Sequence, residues 1–348
     1  MGCSSRFGGK MSKMSAWLLR IEKINVSIFG VILGTGGVAL ASQMLLPLLT
    51  VLLTYLLTIL FVLFTALLVL KITLYPRTVR AELQHPIPGN FYALQPISAV
   101  ILAILYRRLF PSSVDIALLA YGGILIFGLA VYLPYHFFAD MNIEFSQLHG
   151  GWFITPVATI LVTNAILLYP INEVNLTIAL AYFGIGTLLF ILVLSVLFFR
   201  LLSHTLPPVE LAPANFIVLA PIGILIADLL QFSNAAGIIF ETSLNPAAVL
   251  AGSALWGFGL WAALVNVLLL TKYSRTGFPF HMGWWSFVFP TAAFTLGTLS
   301  LSKFLEPFQL ISEILYVCLV ALWAFISIRT LAGWVVRSLR FITNRSRA

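Results

Sequence analysis

Long apolar runs alternate with short polar breaks along nearly the whole chain. A helix needs about 20 residues to cross roughly 30 Å of hydrocarbon. At that length the pattern predicts ten membrane-spanning helices, at residues 26–46, 48–71, 91–106, 114–138, 152–170, 174–199, 213–232, 245–271, 283–303 and 308–331. The third run is short, and the division between the first two rests on Gln43 and Pro47. The chain therefore divides into an N-terminal tail (1–25), a transmembrane domain (26–331) and a basic C-terminal tail (332–348).

The odd-numbered runs share a feature that the even ones lack. The third carries Asn90-Phe91 with Pro96, the fifth Trp152-Phe153 with Pro156, the seventh Asn215-Phe216 with Pro221, and the ninth Trp284-Trp285 with Pro290. Each has an aromatic near one end and a proline a few residues later. The first run has no proline, but Gly34-Thr35-Gly36-Gly37 falls at the corresponding depth. The repeat distance of roughly 60 to 70 residues is one helical hairpin with its loops, so five such hairpins predict a pseudo-fivefold arrangement. A proline inside a helix costs about 3 kcal/mol and frees a carbonyl. In lipid such a break is tolerated where it faces protein or a wet cavity. The expectation is an inner ring of five kinked odd-numbered helices around a central pore, with kinks at Gly34, Gly36, Gly37, Pro96, Pro156, Pro221 and Pro290. The uniformly apolar even runs would form an outer ring against lipid. Membrane helices are rich in proline and glycine in general, but that bland alternative does not explain restriction to alternate runs.

Composition agrees with the bilayer as solvent: 61% of the 348 residues are apolar, 9% are charged, and the mean hydropathy is +1.05. A soluble domain carries roughly 25% charged residues. The net charge of +8 does not point to nucleic acid, because the basic residues sit in short clusters between apolar runs, as in cytoplasmic loops. With the N-terminus inside, 16 of the 19 Lys and Arg fall on the inner side, and Arg107, Arg108 and Lys303 on the outer. That asymmetry places both termini in the cytoplasm and supports an even number of spans in a cell membrane. Cys3 and Cys318 exclude a disulfide framework or a cysteine metal site. The opening Met-Gly-Cys-Ser-Ser falls short of a myristoylation signal because Arg6 stands where Ser or Thr is needed.

Several stretches resemble the tellurite-resistance/dicarboxylate transporter family. Arg80-Ala-Glu-Leu-Gln-His85-Pro86 followed by Asn90-Phe91 is similar to that family's entry to its third span. Trp284-Trp285-Ser-Phe287-Val-Phe289-Pro290 is similar to its ninth-span signature, with Val288 where a Thr is usual. Trp152-Phe-Ile-Thr-Pro156, the stretch 206–222, and Gly34-Thr35-Gly36-Gly37 agree as well. The family includes malate and other dicarboxylate transporters, sulfite exporters, tellurite-resistance proteins and plant slow anion channels. The resemblance implies ten helices in five hairpins, a homotrimer with one pore per protomer, and a pore occluded by the phenylalanine at position 289. It also implies transport of small anions, with four-carbon dicarboxylates such as malate leading. A sulfite or tellurite exporter, or a chloride or nitrate channel, is the alternative.

Asp228 is the one carboxylate well inside a run. Intramembrane acids are costly and face water or a partner, so it is a candidate for proton coupling or a structural acid of the outer vestibule. Thr35, Thr159, Thr163, Asn164, Thr295 and Thr298 lie on odd runs and offer donors to an anion, or equally to a neighbouring helix. His85 and His136 fall at run ends, as interfacial anchors. There is no nucleotide cradle, nucleophile elbow or metal-spaced cluster, so the expectation is a non-enzyme without cofactor or metal, driven by a solute or ion gradient. A membrane-embedded enzyme or scaffold, the remote rival, would need paired polar groups on facing helices, and Asp228 stands alone.

Overall fold

The computed structural model describes residues 21–43, 45–139, 143–275 and 277–345, and these contain helices and connections with no strand. The expected N-terminal tail lies outside them except for residues 21–25, and so do Cys3, Arg6, Lys10, Lys13, Arg20, Arg347 and the myristoylation question. An apolar chain in lipid has to close its backbone hydrogen bonds within each segment, which makes helix the available solution.

The helices are α1 (Phe29–Ser42), α2 (Pro47–Leu74), α3 (Pro76–Gln84), α4 (Leu94–Leu109), α5 (Ser113–Ala139), α6 (Ile154–Ile166), α7 (Glu173–Ser203), α8 (Leu219–Phe240), α9 (Asn245–Ser274), α10 (Val288–Leu301) and α11 (Pro307–Arg345). Proline stands in the first turn of α2, α3 and α9 and opens α11. Its missing N–H costs nothing there, because a first-turn N–H has no partner within the helix. The break read from Gln43 and Pro47 falls between α1 and α2. The last helix continues to Arg345, well past the expected end at 331.

Among the described residues, seven helices are long and apolar enough to cross a membrane. These are Pro47–Leu74, Pro88–Leu109, Ser113–Ala139, Glu173–Ser203, Val209–Phe240, Asn245–Ser274 and Pro307–Trp334. The runs expected at 26–46 and 152–170 form the shorter apolar helices Val26–Ser42 and Gly150–Ile166. The run expected at 283–303 is the turn Met282–Phe287 plus α10, which is diluted by Trp, Thr and Ser.

Burial separates the helices into two sets. Of the apolar core of Pro88–Leu109, 89% is buried, and of Val209–Phe240, 78%, against 11% for Asn245–Ser274. The buried helices α1, α4, α6, α8 and α10 touch in that order, and α10 also touches α1, so the contacts close on themselves. Each packs against the helix that follows it across a loop: α1 on α2, α4 on α5, α6 on α7, α8 on α9 and α10 on α11. The second set presents rows of exposed Leu, Ile, Val and Phe, such as Leu52, Ile59 and Val62 on α2.

Glycines set the closeness of these contacts. A Cβ at Gly37 would lie 2.7 Å from Ala292 Cβ, and one at Gly297 would lie 2.6 Å from the Gly223 carbonyl oxygen. On the outer helices, a Cβ at Gly122 would approach the Pro96 carbonyl to 2.8 Å, and one at Gly186 the Pro156 carbonyl to 3.2 Å. The short α3, which falls between the runs expected at 48–71 and 91–106, is fastened beneath α2. Lys71 Nζ donates to both Glu82 carboxylate oxygens (2.7 and 2.8 Å) and to the Ile24 carbonyl (2.8 Å), and Tyr92 donates to Glu82 (2.6 Å).

Candidate functional site

The buried helices begin alike. A 3-10 turn or a single helical turn runs into an α-helix: Val26–Ile28 into α1, Pro88–Phe91 toward α4, Gly150–Phe153 into α6, Val209–Val218 into α8 and Met282–Phe287 into α10. The side chain of the residue before the turn closes three of these starts. Asn25 accepts the Ser27 N–H (2.9 Å), His149 Nδ1 accepts the Gly151 N–H (3.0 Å) and His281 Nδ1 accepts the Gly283 N–H (3.1 Å). His85, placed from sequence as an interfacial anchor, accepts the Ile87 N–H in the same way (3.1 Å). These bonds satisfy N–H groups that a helix start leaves unpaired. Two starts also share an indole bond to the carbonyl five residues back, from Trp152 to Gln147 (3.2 Å) and from Trp284 to Pro279 (3.1 Å). The signal is in the sequence as His-x-Gly-Trp, at 149–152 and 281–284, and pattern reading passed over it. Burial holds the His149 imidazole down at about 4, with the Arg200 charge adding to the effect.

The prolines sit at one register, where a tight turn passes into an α-helix. Pro96, Pro156, Pro221 and Pro290 are each the third residue of their α-helix. The change from tight turn to α-helix occurs just before them, where an absent N–H is cheap. The glycine expectation is corrected. Gly34, Gly36 and Gly37 lie inside the unbroken α1, and they let its backbone approach Trp285, Ile101 and Ala292.

Two cavities meet along the axis of the buried helices. One, of about 320 Å³, is walled by α1, α4, α6, α8 and α10, for example by Leu40, Ile101, Leu161, Ile224 and Ala293. The other, of about 50 Å³, lies among the helix starts, against Leu33, Phe91, Ile97, Val157 and Trp285. Phe289 is common to both linings. It is 5% exposed, and its ring lies against Gly37, where a Cβ would be 3.4 Å from Cδ2. Phe287, two residues earlier, borders neither cavity and packs on Phe216 and Trp284 with ring centroids 4.9 and 5.7 Å apart.

Charge along this axis is one-sided. Arg108 and Lys303 border the larger cavity, and no carboxylate does. Arg108 donates to Gln43 Oε1 (3.1 Å). Asp228 is fully buried behind this wall: Asn164, which does line the cavity, donates its Nδ2 to Asp228 Oδ1 (2.9 Å), and Asp228 Oδ2 has no partner.

The threonines expected to line a pore border neither axial cavity. Thr35 accepts from the Trp323 indole (3.1 Å), Thr163 donates to the Ala179 carbonyl (3.2 Å) and Thr298 accepts from the Trp256 indole (3.0 Å). Thr159 and Thr295 donate to carbonyls one turn back, Thr155 (2.9 Å) and Thr291 (2.8 Å), and Thr295 borders a separate side cavity with Lys303 and Tyr316. These hydroxyls bond within and between helices. Among the described residues no group of three His, Cys, Asp or Glu is placed to hold a metal.

Several long apolar helices around a buried set define an α-helical multi-pass membrane protein. Residues 23–331 match the SLAC1 family of voltage-dependent anion channels, and the chain belongs to that family, the tellurite-resistance/dicarboxylate transporter family. Two uncharacterized transporters of Methanocaldococcus jannaschii are each 28% identical to it, over 89% of this chain and 95% and 93% of their own lengths. The sulfite efflux pump SSU1 of Arthroderma otae is 24% identical over 92% of both chains.

Proposed function

We propose that the chain carries small anions across a cell membrane along the axis enclosed by α1, α4, α6, α8 and α10, and that Phe289 closes this path. On this reading the five hairpins form a pseudo-fivefold bundle of ten helices, with both termini cytoplasmic. Copies assemble as a homotrimer with one path each. The observation that carries the reading is Phe289 standing between two axial cavities, the larger of which has Arg108 and Lys303 on its wall and no acid. An apolar ring at a constriction closes a narrow path by sterics and dewetting, and cations at a mouth select for anions.

Compact oxyanions such as sulfite are the first substrate reading. The smaller cavity has room for only a few waters at roughly 10–15 Å³ each, and SSU1 relatives are named for sulfite efflux. Four-carbon dicarboxylates are the second, because the larger cavity offers two cations to two carboxylates. The test is flux from purified protein in liposomes at a set membrane potential, with sulfite, chloride, nitrate and malate compared. Sulfite flux above that of empty liposomes, and above malate, is expected. No anion flux for either the native protein or a Phe289→Ala variant would end the reading.

A further inference from the structure

A second cavity of distinct chemistry lies off the axis, between α7 and α9 and the starts of α6 and α8. It measures about 70 Å³, and none of the residues around it borders either axial cavity. Arg200, in the last turn of α7, and His149 stand at its polar end. Both are buried, at 3% and 1% exposure. Arg200 uses its Nε to donate to the Phe145 carbonyl (3.0 Å), and its Nη1 has no hydrogen-bond partner. His149 Nδ1 is occupied as acceptor of the Gly151 N–H, which places the neutral ring's proton on Nε2. That nitrogen is also without a partner. Two buried donors, one of them cationic, thus border one small space, and no carboxylate lines it.

The rest of its lining is mostly apolar, from Leu194, Leu197, Phe258 and Val265 among others. Phe198 and Trp261 form its walls with ring centroids 5.8 Å apart, and both are exposed on the outer faces of their helices. Buried donors of this kind are costly unless an acceptor meets them, and a charge more so. A ligand satisfying both ends needs oxyanion acceptors on a long apolar chain.

We propose that this cleft binds an anionic phospholipid, its phosphate accepting from Arg200 Nη1 and His149 Nε2 and an acyl chain running outward along Phe198 and Trp261. A ligand bound only to the folded state raises the unfolding temperature with concentration. The full-length protein in detergent is therefore titrated with phosphatidylglycerol, with diacylglycerol (apolar chains without phosphate) and with inorganic phosphate. Phosphatidylglycerol alone is expected to give a saturable rise. Arg200→Gln removes a charge-assisted bond and should weaken the apparent affinity roughly ten- to a hundredfold. Val265→Phe fills the apolar end without touching the donors and should weaken it too, so the question stays decidable if Arg200→Gln fails to fold. Equal rises in native protein and in every variant that folds would overturn the proposal. So would a full rise with inorganic phosphate alone, which would make the ligand a free ion, or with diacylglycerol alone, which would make the cleft merely greasy.

Discussion

Phe289→Ala is the decisive perturbation of the proposed gate. Truncation removes the one ring that borders both axial cavities, so the space of about 320 Å³ on one side joins the space of about 50 Å³ on the other. A fully packed phenylalanine costs about 3–5 kcal/mol when cut to alanine, because a cavity replaces its contacts. Phe289 already faces empty space on two sides and lies on a glycine on a third, so the loss should fall at or below the low end of that range. The gain in flux is set by the barrier the ring imposes: each 1.4 kcal/mol removed raises the rate about tenfold. At least a tenfold rise in anion flux is expected, with only a modest change in anion preference because no charge is added. Phe289→Leu should be intermediate. The assay is flux in liposomes at fixed protein density, with unfolding temperature measured on the same preparations. Phe287→Ala is the control, since that ring packs on Phe216 and Trp284 and borders no axial cavity; it should lose stability and gain no flux. Well-folded Phe289→Ala protein with native flux, or the reverse ranking of the two variants, would refute the assignment.

Lys303→Gln and Arg108→Gln should each lower anion flux several-fold at low ionic strength, with the deficit shrinking in ~0.15 M salt, since mouth cations act through a screened field; a salt-independent loss would mean direct coordination or misfolding. A Cβ at Gly223 would fall on the Ala293 carbonyl oxygen, so Gly223→Ala should destabilise by about 1–3 kcal/mol or more through overpacking, and a native unfolding temperature would show that α8 and α10 can separate freely. His149 is held near 4 against an ordinary 6.5. Its lowered value favours the neutral ring in the fold, so stability is full above about 6.5 and falls as pH drops toward 4, by an amount on the order of 3 kcal/mol; His149→Gln should flatten that acid limb of an unfolding titration. Cysteines placed near Asn172 or Ser243 should react with an impermeant reagent added outside, and one near Ser203 should not.

Much of the helix layout was legible because the bilayer demands long apolar segments, and the break at Pro47 marks a start that chemistry makes cheap. The matched prolines of the third, fifth, seventh and ninth runs were legible as a set, but their mechanical role was not. Hydropathy does not distinguish a 3-10 turn from the α-helix it enters, so the position of Pro96 and its counterparts, each the third residue after that junction, could not be read from the runs. The inward face of each buried helix was hidden for a related reason. Nearly every position of α1 and α6 is buried, and the threonines of α6, spaced four apart, bond to helices rather than mark the face toward the axis. Thr35 and Thr163 could be placed on their helices but not turned. Arg200 counts in sequence only as an inside charge; its burial depends on the 3-10 turn Phe145–Gln147, whose Phe145 carbonyl accepts its Nε, and no spacing rule encodes that.

The disposition of the polar groups constrains how an anion would be chosen on the proposed path. A hydroxyl in a membrane helix needs a partner, and Thr159, Thr163, Thr295 and Thr298 have all found one in a carbonyl. Asn164 reaches the cavity wall with its Nδ2 already committed to Asp228. Between the mouth cations and the helix starts the wall is chiefly Leu, Ile and Ala, with Gln231, Asn234 and Ser300 also on the larger cavity. An anion drawn in by Arg108 and Lys303 meets no fixed positive charge deeper in, so nothing there holds it tightly, and weak binding is what rapid exit requires. Such a wall offers an anion the neutral amides of Gln231 and Asn234 in the larger cavity and only apolar contact at Phe289. On the proposed path, discrimination combines attraction at the mouth, contact with these amides and the cost of shedding water at the Phe289 constriction, and the size of that side chain sets the rate.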